Sequence, residues 1–175
     1  MSSPNPVVTL EPFSLYISTT QIFAQPGKFH WSFYLTDAYG IATRYHWSER
    51  GGTRGVYAEG VHVQVINPVT TYSASYNVAL AYFKVTGFNP ATPPNIMQQA
   101  AFSAFPESYL TVRENRQNGL SCRTWVLQVL RTLITWRYLV RNDYPESIEA
   151  VVKARSMQVE NSLMTSFTGS VVVYV

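Results

Sequence analysis

Charge is scarce in this chain of 175 residues: Asp, Glu, Lys and Arg together make up 13%, against a usual ~25%. Aspartate occurs only at Asp37 and Asp143, so paired-carboxylate catalysis has little to draw on. The single cysteine, Cys122, excludes an internal disulfide framework, and no C-x-x-C spacing suggests zinc. No run reaches the ~18 apolar residues of a membrane span; the richest, Trp125 to Trp136, is broken by Gln128, Arg131 and Thr132. The opening M-S-S-P-N-P-V-V lacks the basic segment and apolar run of a secretion signal. The expectation is a soluble, cytoplasmic protein without a membrane span. There is no G-x-x-x-x-G-K-[ST], no dinucleotide-binding glycine fingerprint, no H-E-x-x-H and no G-x-S-x-G. No cofactor or metal is therefore expected.

What is present is apolar and aromatic: 46% hydrophobic residues and 14% aromatics, with 12 Tyr and 4 Trp. A chain of this length forms one domain, residues 1–175, and buries roughly 70% of its unfolded surface. Its aromatic surface suits an apolar ligand or a protein partner and allows a homo-oligomer. The net charge of +3 comes from ten Arg, and eight of the thirteen basic residues lie between Arg113 and Arg155. No nucleic-acid-binding motif accompanies them, so nucleic acid is not expected as a partner.

The first half reads as strands over Val7–Leu10, Phe13–Ser18, Lys28–Thr36, Ile41–Trp47, Gly55–Ile66 and Asn77–Gly87. The D-A-Y-G between the third and fourth reads as a hairpin. Ile96–Phe105 is expected to be a helix and Ser108–Val112 a strand. Ser121 is the N-cap of a first long helix, with Leu120 and Trp125 as its hydrophobic staple. Trp125, Val126, Val129, Leu133 and Trp136 form the apolar stripe of that helix. Asp143 is read as the cap of a second, with apolar positions Ile148, Val151, Val152, Val159 and Leu163. The terminal V-V-V-Y-V reads as a last strand. The fold class is α+β, an antiparallel sheet with packed helices.

Three residues have the chemistry of a site. Cys122 occupies the first position of a helix, where free N–H groups and the macrodipole favour a thiolate. It also shares a helical face with Val126 and Val129, where a cysteine serves as a small hydrophobe. In F-H-W-S-F-Y-L, alternation puts His30, Ser32 and Tyr34 on one face. With a hairpin symmetric about Ala38, His30 stands opposite His46 on the next strand. Two facing histidines suit a metal or a base–orienter pair. His62, opposite in face to Val61, Val63 and Val65, reads as a surface or half-buried strand residue.

H-W-S-F-Y-L, a turn, a second histidine and then a cysteine opening a helix as C-R-T-W resembles the circularly permuted papain-like cysteine hydrolases, whose members include lecithin–retinol acyltransferase, NlpC-type and PPPDE relatives. The similarity covers His30–Trp47 and Ser121–Leu130. Ser121 stands where those relatives have Asn, and Arg123-Thr124 where they have an acid and a histidine. The resemblance implies a permuted papain-like fold in which Cys122 is the nucleophile, His30 the base and His46 the orienting residue. It implies a thiol-dependent hydrolase or acyltransferase acting on a peptide, isopeptide or acyl substrate. The alternative is a non-catalytic, aromatic-rich module that binds an apolar ligand or a protein.

Overall fold

A computed structural model describes residues 8–66, 79–163 and 170–175. Six strands form one mixed sheet: β1 (Leu15–Gln21), β2 (Phe29–Thr36), β3 (Ala42–Ser48), β4 (Gly60–Ile66), β5 (Ala79–Lys84) and β6 (Val171–Tyr174), in the order β4-β3-β2-β1-β5-β6. Four helices, α1 (Pro94–Ser103), α2 (Val112–Gln117), α3 (Cys122–Thr135) and α4 (Pro145–Ser162), complete an α+β architecture. The sheet is not wholly antiparallel, because β6 runs parallel to β5. All four helices intervene between these two strands, and such a long crossover is what a parallel pair requires.

Strand alternation decides which residues meet the helices. Trp31, Phe33 and Leu35 of β2 and Tyr45 and Trp47 of β3 enter the main core with Trp125, Val126, Val129, Leu130 and Leu133 of α3. The opposite face carries a smaller cluster of Tyr16, Tyr34, Ala42, Ala79 and Tyr82, in which the Tyr34 and Tyr82 rings meet edge to face at 5.3 Å. The central strands are thus buried on both sides. That is why β2 reads as a nearly continuous apolar and aromatic run.

Several sequence expectations shift. Residues 8–10 form no strand, and residue 7 lies outside the described residues. The expected strand at Gly55 begins only at Gly60, and residues 77 and 78 of the strand expected over Asn77–Gly87 lie outside the described residues. Ser108–Val112 is not a strand. It leads into α2, where Thr111 accepts from Glu114 N–H and the Glu114 carboxylate accepts from Thr111 N–H, a capping box. The second long helix is preceded by Tyr144 with Pro145 at its start; Asp143 instead pairs with Arg141. Ser121 caps α3 as expected, and Thr124 closes its capping box. Trp136 lies beyond α3 and is 40% exposed, and Val151 is 47% exposed, so neither belongs to the core. No helix among the described residues is long and apolar enough to cross a membrane.

Trp125 is fully buried and donates its indole N–H to Ala101 C=O at 3.0 Å, tying α3 to α1. Trp125→Ala is expected to cost ~3–5 kcal/mol in urea unfolding. Trp136→Ala should stay within ~0.5 kcal/mol. Equal losses would mean that the stripe had been assigned to the wrong face.

Candidate active site

The β2–β3 ladder begins at Thr36↔Ala42 and ends at Phe33↔Tyr45. The hairpin is therefore centred on Tyr39, not Ala38. Asp37 shapes its loop by accepting from Tyr39 N–H and Ile41 N–H, and Gly40 takes the left-handed φ of 76°. His30 and His46 are consequently not cross-strand partners. The register differs from the expected one by two residues, however, and a shift of two preserves the face. Both imidazoles stay on the side away from the helices, and beyond the last paired residues they meet directly. His30 Nε2 lies 2.7 Å from His46 Nδ1, with the rings edge to face at 4.9 Å.

Sequence reading missed the next link. On β3 and β4, His46 and His62 are true cross-strand partners. His46 Nε2 lies 3.0 Å from His62 Nδ1, with ring centroids 5.1 Å apart. The three imidazoles thus form one hydrogen-bonded chain rather than a convergent ligand set. Among the described residues no group of three or more His, Cys, Asp or Glu is arranged to hold a metal ion. The pairing was available in principle, since His62 is sixteen residues from His46 as His46 is from His30, but only knowledge of the β3–β4 register would have exposed it.

Burial dominates the electrostatics of this chain. It pushes His30 down to about 4, aided by the Arg44 charge and opposed by Glu59. It pushes His46 down to about 2, with Arg44 and the two flanking imidazoles acting in the same direction. Both rings are neutral at physiological pH.

Cys122 stands where the sequence predicts, at the first position of α3, half-buried against the main core. Its Sγ accepts from Trp31 N–H at 3.5 Å and donates towards Phe29 C=O at 3.9 Å. The sulfur therefore rests on the backbone either side of His30. Among the described residues, no hydrogen bond joins the sulfur to an imidazole nitrogen. Burial pushes the thiol upward, outweighing the Trp31 and Arg123 N–H groups and the Arg116 charge that pull it down. A resting thiolate, which the helix start alone would favour, is therefore not the outcome.

Glu59, buried just before β4, joins the two halves of this region. Its carboxylate accepts both Arg116 guanidinium nitrogens at 2.7 Å and Asn115 Nδ2 at 2.8 Å. Arg116 also donates to Leu120 C=O, one residue before the α3 cap. The ion pair bears electrostatically on both Cys122 and His30. On its other side Glu59 lines a cleft of about 150 Å³ with aromatic walls, among them Trp47, Tyr57, Phe102 and Phe105. Gly51 and Gly60, which also line it, approach closely: a Cβ on Gly60 would lie 2.1 Å from Gly51 O.

Comparison with protein-family models, curated proteins and solved structures finds no match to the chain.

The neutral histidines give the fold an acid-side weakness. An unperturbed histidine titrates at 6.5; below that, the unfolded chain takes up protons that the folded one does not. Stability is therefore full above pH 6.5 and falls as pH drops, through both rings until His30 itself protonates at about 4 and through His46 alone below that. Each ring contributes a slope of up to ~1.4 kcal/mol per pH unit. Urea titrations at neutral and mildly acidic pH should show this slope, and His46→Gln should reduce it by about one ring's share. A slope unchanged in that variant would assign the acid sensitivity elsewhere.

Proposed function

We propose that the protein is a thiol-dependent hydrolase or acyltransferase that attacks an amide, isopeptide or (thio)ester carbonyl, with the arrangement of a permuted papain-like fold. The observation that carries this reading is the docking of Cys122, at the head of α3, onto the backbone of β2 at the two residues flanking His30, while His30 is held by His46.

With the thiol pushed up and the imidazoles pushed down, the resting pair is S–H and neutral imidazole. Proton transfer then accompanies attack, as in general-base catalysis, instead of preceding it as an ion pair. For this transfer the Cys122 S–H has to leave Phe29 C=O and reach His30 Nδ1 around the unpaired edge of β2, because the imidazole lies on the face away from α3. The sulfur adds to the carbonyl carbon, and the developing oxyanion is met by the free N–H groups of the first turn of α3. Such donors contribute roughly 3–4 kcal/mol in comparable sites. His46 fixes the His30 ring, the orienting role in a triad. Collapse returns the proton to the leaving group, and the acyl-thioester passes to water or to an acceptor. The aromatic cleft beside Glu59 suits an apolar group of the substrate.

The non-catalytic reading draws on one observation: the sulfur already has backbone partners and its burial favours the neutral thiol. Alkylation of Cys122 by iodoacetamide separates the two. On the hydrolase reading, the rate at neutral pH falls by roughly tenfold or more in His30→Asn, a modest part of the ~10²–10⁴ available to a general base. A rate and pH midpoint untouched by His30→Asn would leave the binding module.

A further inference from the structure

We infer that His62 is the solvent end of a proton relay in which His30, His46 and His62 exchange tautomers together, so that the site base is emptied and refilled without a lasting charge on any buried ring. This deepens the proposed thiol chemistry and rests on it for its use, although the relay itself is a property of the three imidazoles alone.

A neutral imidazole carries one N–H, and which nitrogen bears it is set by its partners. The two contacts, His30 Nε2 to His46 Nδ1 and His46 Nε2 to His62 Nδ1, can each be satisfied in two ways only, and the choice at one fixes the other. In the first arrangement every ring is protonated at Nε2: His30 donates to His46, His46 donates to His62, and His30 Nδ1 is a free acceptor. In the second every ring is protonated at Nδ1: His62 donates to His46, His46 donates to His30, and His62 Nε2 is the free acceptor. A proton taken up at His30 Nδ1 converts the first arrangement into the second. The His30 Nε2 proton moves to His46 Nδ1, the His46 Nε2 proton moves to His62 Nδ1, and the His62 Nε2 proton leaves to water. One proton enters, one departs, and each ring ends with one. Release of the His30 Nδ1 proton to a leaving group runs the sequence backwards, with His62 Nε2 refilled from solvent.

Position supports this division of roles. His46 is buried, whereas His62 is half-buried on the edge strand β4, and its Nε2 has no partner among the described residues. The charged groups acting on the inner two rings are mostly cationic: Arg44 and Arg50 for His46, and Arg44 and Arg116, offset by Glu59, for His30. Among the described residues, no carboxylate hydrogen-bonds or ion-pairs with His46 to stabilise an imidazolium there. Transfer through neutral rings avoids storing a cation where it is least tolerated.

The imidazole ¹⁵N spectrum of the intact protein tests the relay without any reaction. Near neutral pH, both His46 nitrogens are expected at shifts intermediate between protonated and bare values, as the two arrangements exchange. His62→Asn keeps a polar partner for His46 but cannot pass a proton through, so His46 should settle into one tautomer. The same variant should alkylate more slowly at Cys122 by roughly severalfold, less than His30→Asn, with partial recovery in added imidazole. A single fixed His46 tautomer in the native protein, or a His46 spectrum unaltered by His62→Asn, overturns the relay. Loss of the thiol reading shows differently: alkylation insensitive to His30→Asn, with the native exchange of His46 intact, removes the chemistry and leaves the relay standing.

Discussion

The end of the β2–β3 ladder at Phe33 and Tyr45 is the constraint on which the site depends. Up to that pair the two strands satisfy one another. Past it, the Trp31 N–H is taken by a sulfur from α3, and the His30 and His46 rings close the distance through their nitrogens. A ladder continued by three more pairs would occupy the backbone that Cys122 uses. Early termination therefore does two things at once: it seats the thiol on the strand backbone and lets the His30 and His46 rings meet.

Desolvation then determines the chemistry available. Helix start, neighbouring N–H groups and Arg116 all favour the thiolate, yet burial outweighs them; the same burial keeps His30 and His46 uncharged. A site of this kind stores no charge at rest. In the proposed chemistry, a substrate would have to draw the proton and the electron pair together. The Glu59–Arg116 ion pair, buried at the carboxylate end and bidentate, contributes a balanced field and ties the β4 start to the segment leading into α3.

Local pattern made much of this readable. Period-two alternation assigned the faces of β2 and β3, so the histidines stayed on one side even though the hairpin centre moved from Ala38 to Tyr39. Ser121 was legible as a cap because its hydroxyl acts within three residues. Thr124, which departs from the motif that the sequence resembles, has a physical reason as the other half of that capping box. Thr111 and Glu114 carry the same local signal for α2, in place of the strand expected over Ser108–Val112. The His46–His62 pairing, the Glu59–Arg116 bridge and the parallel docking of β6 join segments far apart in sequence, and no local period encodes which strands become neighbours. Nor does composition reveal that a half-buried thiol will be governed by desolvation rather than by the helix on which it sits.

The close approach of Gly51 and Gly60 reaches further than the cleft they line. Any side chain there would drive two backbones apart by more than an ångström and tilt the first residues of β4. Two residues along that strand sits His62, whose link to its neighbour spans only 3.0 Å. A pair of hydrogen atoms, in place of methyl groups, thus sets the alignment of an imidazole neither of them touches.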